Sequence, residues 1–107
     1  MATGTIKKPD LTVERIAPSD YNGAIVFRKY GKLVICDINH WNCVQGQTGQ
    51  TVPTGLRPGY NLTTMGAKEG TGVIAVRYYQ GYLQFLQTDL SSYVTGYVAG
   101  HLEWFFP

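Results

Sequence analysis

Residues 72–88, GVIAVRYYQGYLQFLQT, leave a folding chain little choice. Two runs of β-branched and aromatic residues flank Gln80-Gly81, and glycine at a two-residue turn is a hairpin signal. Folded there, Tyr79 meets Tyr82, Tyr78 meets Leu83 and Val76 meets Phe85. Ile74, Val76, Tyr78, Leu83 and Phe85 then share one face. Ala75, Arg77, Tyr79, Tyr82, Gln84 and Leu86 form the other, a mixed polar and aromatic surface. The stretch GAIVFRKYGKLVICDINHW repeats the device around Gly31-Lys32, with glycine placed for a type II′ turn. Its core face carries Ile25, Phe27, Val34, Cys36 and Ile38, with Lys29 at the rim. The opposite face, Val26, Arg28, Tyr30, Leu33, Ile35 and Asp37, is too apolar to be simply solvated. Further strands are expected at Leu11–Ile16, Tyr60–Met65, Tyr93–Val98 and Leu102–Phe106, and a loop rich in glycine, glutamine and proline from Val44 to Pro58. Helical periodicity of useful length and internal repeats are both absent from the sequence.

A chain of 107 residues has the length of one domain. Six of its nine basic residues (Lys7, Lys8, Arg15, Arg28, Lys29, Lys32) lie in the first 32 positions, but Asp10, Glu14 and Asp20 are interleaved with them. No positive block is long enough to predict nucleic-acid binding. Nor does any apolar run resemble a signal peptide or a membrane span, so membrane insertion is not expected.

The two cysteines flank a histidine and an aspartate in CDINHWNC, residues 36–43. On a straight strand Cys36 and His40 share a face but stand about 13 Å apart, too far for one zinc ion. A disulfide between Cys36 and Cys43 needs Cα atoms about 5.5 Å apart, where a straight strand separates them by about 23 Å. The stretch therefore reads as a strand running into a loop, with Cys36 in the core and no metal expected. Neither cysteine has a nucleophile's surroundings, Ser91 and Ser92 lack a GxSxG context, and the glycines of GYNLTTMGAKEGTG lack phosphate-loop spacing. No catalytic residue, cofactor or enzymatic activity is expected.

The succession NGAIVFRKYGKLVIC, VPTGLRPGYNLT, GVIAVRYYQGYLQF and SSYVTGYVAG resembles the C-terminal receptor-binding head domains of phage tail and tail-fibre proteins. The matching positions are Phe27, Lys29, Gly31, Leu33 and Val34, then Pro53, Gly55, Arg57 and Pro58, then Gly81, spanning roughly residues 21–100. The resemblance implies an all-β fold, an antiparallel β-sandwich or jelly-roll-like barrel built from hairpins. Residues 1–20 would form an N-terminal linker or strand, and 21–107 a single sandwich domain. It also implies a homotrimer at the tip of a virion tail, made in the bacterial cytoplasm and extracellular after lysis. There it would contact other tail proteins and adhere to a host cell-surface saccharide. The matched residues look structural, with Arg57 an anchor for its loop, so the resemblance carries over no contact residue.

Assembly has independent support, because the C-terminal HLEWFFP places Leu102, Trp104 and Phe106 on one side and Glu103 and Phe105 on the other. Burying both sides is easiest between subunits, although a monomeric sandwich that covers both would do the same. Saccharide recognition needs aromatic platforms beside planar polar groups. One candidate is the loop edge with Asp37, His40, Trp41 and Asn42; the other is the hairpin face with Arg77, Tyr79, Tyr82 and Gln84. The alternative for Trp41 is core packing. For Tyr79 and Tyr82 it is a cross-strand pair contributing about 0.2–1 kcal/mol. Three classes stay open: the adhesion domain, a structural trimerising module of a tail or baseplate without ligand, and a small hydrolase, disfavoured because no catalytic constellation is visible.

Overall fold

The computed structural model describes residues 11–17, 23–46, 48–70 and 72–107. The chain is all-β. Its strands are β1 (Leu11–Ile16), β2 (Ala24–Tyr30), β3 (Leu33–Cys43), β4 (Gln50–Thr51), β5 (Leu62–Lys68), β6 (Gly72–Tyr79), β7 (Tyr82–Leu86) and β8 (Gly96–Phe105). All pair antiparallel in one sheet of order β1-β2-β3-β8-β5-β6-β7-β4. No helix among the described residues is long and apolar enough to cross a membrane. Residues 1–10 and 18–20 of the expected N-terminal linker lie outside the described residues, whereas β1 joins the sheet beside β2 in six register pairs.

Both hairpins have the expected registers, Tyr30↔Leu33 to Ile25↔Ile38 and Tyr79↔Tyr82 to Val76↔Phe85. Their turns differ in kind. Gly31 alone has positive φ (60°) in the first, as a type II′ turn requires, whereas Gln80 and Gly81 are both positive (46° and 98°) in the second, as in type I′.

The sheet curls into a half-barrel whose two leaves, β1-β2-β3-β8 and β5-β6-β7-β4, face each other across the core. Ile25, Phe27, Val34, Cys36, Leu102 and Trp104 from one leaf meet Ile74, Val76, Tyr78, Leu83 and Phe85 from the other, all buried. The leaves join along a short seam, Ala67↔Ala99 and Lys68↔Val98, extended by the Glu69 N–H donating to the Tyr97 carbonyl. The expected Val44–Pro58 loop contains β4 and a 3-10 turn at Thr54–Leu56, and it ties the two leaves together. The Val52 N–H donates to the Gly81 carbonyl at the β6–β7 turn. On the other leaf, Lys29 Nζ donates to the Gly55 carbonyl and Trp104 Nε1 to that of Leu56. Arg57 Nε donates to the Val52 carbonyl at 2.8 Å and so braces this segment on itself.

Three expectations are corrected. The strand expected at Tyr60–Met65 runs instead from Leu62 to Lys68. Those expected at Tyr93–Val98 and Leu102–Phe106 are one continuous β8, because β3 pairs along nearly all of it. Finally, β3 does not end near His40. It passes through a bulge between Ile38 and Trp41 and continues to Cys43. His40 has φ of 50°, and the extra residue exchanges the two faces beyond it, so Trp41 and Cys43 join Cys36 in the core and His40 leaves the core face. The bulge fits because Gly23 lies against the His40 and Asn39 carbonyl oxygens, where a Cβ would collide with backbone.

Candidate functional site

Six of the eight residues singled out from the sequence fall into four places. Trp41, expected at a loop edge, is instead 8% exposed and packs in the core. His40, on the bulge, stacks on Tyr97 with ring centroids 4.3 Å apart and contacts Glu69 through Nδ1. Asp37 pairs with His101 of β8 and Val26 of β2 on the outer face of β3. Arg77, Tyr79 and Tyr82 come together on the β6–β7 hairpin.

Asp37 is the centre of a charged row across three strands. Its carboxylate accepts from Arg28 Nη1 at 3.2 Å and from His101 Nδ1 at 2.6 Å, while His101 Nε2 lies 2.9 Å from Glu103 Oε1. A histidine that donates from both nitrogens is the imidazolium, and these bonds, that from Asp37 first, raise its pKa above the ordinary 6.5. A raised folded value stabilises the fold most below the unfolded value, and the gain fades as pH rises through the folded one. Stability of the native chain relative to His101→Gln is therefore expected to be highest below about pH 6. The difference should shrink at alkaline pH in urea titrations. A difference that grew with pH would contradict the assignment. The side chain is half exposed, so the effect is small and weakened by salt. Beside the row is a depression of about 420 Å³ lined by Arg15, Val26, Arg28, Asp37 and Asn39. Among the described residues its lining has polar groups but no aromatic ring.

The hairpin face has both. Arg77 Nε donates to Gln84 Oε1 at 2.6 Å, and the guanidinium lies over the Tyr79 ring at 4.7 Å. Gln84 is only 7% exposed, and its amide nitrogen donates to the Tyr93 hydroxyl at 3.2 Å. One buried amide thus positions a cation on one side and a tyrosine on the other. Tyr79, Tyr82 and Tyr93 remain 38%, 48% and 40% exposed. On the β5 side Thr63 opposes Arg77, and at Thr63 begins a depression of about 270 Å³ that Met65, Ala75 and Thr88 also line. No family model and no curated protein matches the chain.

Tyr93 is the member of this face that sequence reasoning missed. It arrives because the chain after β7 turns back at Leu90 (φ 63°) and bridges Tyr93 to Leu86. No local pattern announces that return. The same segment explains why Gln84 and Leu86 are buried although they stand on the outer face.

Both cysteines are free and buried. Burial raises both thiols. That of Cys43 reaches about 12 despite Lys68, which lowers it, and at Cys36 the charge of Asp37 adds to the rise. Both stay protonated at neutral pH, where neither presents a thiolate. Among the described residues no group of three or more His, Cys, Asp and Glu could hold a metal ion.

Proposed function

We propose that the chain is an adhesion domain of a phage or prophage tail, one that holds a host cell-surface saccharide and performs no catalysis. The observation that carries this reading is the hairpin face, where Gln84 presets Arg77 and Tyr93 around the exposed rings of Tyr79 and Tyr82. Sugars present apolar C–H faces and many hydroxyls, and this face offers rings for the first and oriented polar groups for the second. The order of motifs shared with tail receptor-binding domains supports the virion setting, with other tail proteins as neighbours.

Assembly as a homotrimer is part of the reading. Leu11, Tyr30, Leu33 and Phe105 stand in line across β1-β2-β3-β8 on the outer face. Leu11, Val13 and Phe105 are more than half exposed (56%, 54% and 67%), an apolar strip suited to a neighbouring copy. The same strip favours a second reading, a structural trimerising module of the tail that binds no ligand.

Light scattering followed by a glycan array on the intact assembly tests both. The adhesion reading expects a trimer that retains bacterial surface glycans, with Tyr82→Ala losing about tenfold or more in affinity if the ring contributes as much as other stacked aromatics. A trimer silent on all glycans would leave the structural module. A monomer would remove the trimer.

A further inference from the structure

Building on the saccharide reading, we infer that the preferred ligand is an acidic saccharide whose oxyanion, carboxylate or phosphate, is held by Arg77. Charge is unevenly shared between the two leaves. Strands β1, β3 and β8 carry Glu14, Asp37 and Glu103, whereas β4, β5, β6 and β7 contain no aspartate or glutamate at all. Asp37 and Glu103 are already engaged with Arg28 and His101, and Glu69 with His40. Asp89 is the acid closest in sequence to the hairpin face, and its carboxylate accepts from the Ser91 N–H and hydroxyl. These bonds hold it below the usual carboxylate range. Among the described residues no carboxylate lies within ion-pair distance of Arg77.

The contacts of Arg77 also orient it. Nε is spent on Gln84 and the guanidinium plane lies over Tyr79, which leaves the terminal nitrogens as the fork's remaining donors. A planar fork that is already oriented loses little freedom on taking an oxyanion by two parallel bonds. A second guanidinium stands at the tip of the same hairpin. Arg57 packs against the hairpin tip, its Cζ 3.3 Å from where a Cβ on Gly81 would stand. A neutral glycan would use the tyrosines but leave this charge unanswered.

Three probes test the inference: polygalacturonate, its fully methyl-esterified form, which has the same backbone without the charge, and a phosphodiester-linked polysaccharide. The expected result is binding to at least one anionic polymer, about tenfold or more tighter than to the ester, and weakening as salt rises from about 50 to about 500 mM. Which polymer binds names the oxyanion. Arg77→Lys, which keeps the charge but not the fork, is expected to lose most of that preference while melting near the native temperature. The salt dependence is read on the native protein, so a poorly folding variant does not leave the inference untested. Equal binding of the acid and its ester, insensitive to salt, would overturn the acidic preference and leave the saccharide reading intact. Silence toward every charged and neutral glycan would overturn both.

Discussion

Replacing Trp104 by alanine is expected to lower stability by about 3–5 kcal/mol, a large part of what a domain of this size has. The side chain is 2% exposed. Its ring meets Phe27 of β2 edge-on at 6.4 Å and Tyr78 of β6 at 6.3 Å, so it touches both leaves of the half-barrel. Its Nε1 donates to the Leu56 carbonyl at 2.6 Å, fastening the segment that ties the leaves together. Truncation thus opens a cavity and orphans a carbonyl, and leaving such a group unsatisfied costs about 1–3 kcal/mol in its own right. Trp104→Phe fills most of the volume but makes no such bond, and should fall between the native chain and the alanine variant. Urea unfolding followed by far-ultraviolet circular dichroism checks this, since Trp41 complicates fluorescence. An alanine variant within about 1 kcal/mol of the native chain would mean that the terminal strand contributes little to the core.

How far the fold was legible depended on sequence separation. The two hairpins could be read residue by residue because each register follows from a turn two residues long, and alternation then assigns the faces. At His40 one bulged residue exchanges the faces, which is why Trp41 read as a ligand platform and packs inside instead. The cause of that bulge is partly Gly23, which no local pattern links to His40. Gly100 falls between the two strands expected at Tyr93–Val98 and Leu102–Phe106. Within β8 it is a place where a side chain would meet Val76 Cγ2 at 3.2 Å, a contact set by the other leaf. The shared face of Arg77, Tyr79, Tyr82 and Gln84 was legible, since the four alternate in one register. Tyr93 was not, because its place depends on a return turn.

Gly66→Ala is expected to destabilise by about 1–3 kcal/mol or more, against the 0.4–1 kcal/mol that the same change gains where space allows. A Cβ there would stand 2.6 Å from Val76 Cγ2 and 2.7 Å from the Ala99 carbonyl oxygen. The valine can move by rotating, but the carbonyl belongs to β8 and can yield only if the strands part. That parting falls at the seam, where Ala67↔Ala99 and Lys68↔Val98 are the paired residues joining the leaves. Gly100 lies opposite, its would-be Cβ 3.9 Å from the Gly66 Cα, so the two glycines allow the close approach at which the sheet curls. Gly55→Ala is the matched control: nothing lies within 4 Å of its Cβ position and its φ is not positive, so it should be neutral or slightly stabilising. Combining Gly66→Ala with Val76→Ala should recover only part of the loss, because the collision with the carbonyl remains. Full recovery would locate the strain in the core rather than in the seam. A Gly66→Ala chain as stable as the native one would show that β5 and β8 can separate without cost, and that the curl of the sheet does not depend on their contact.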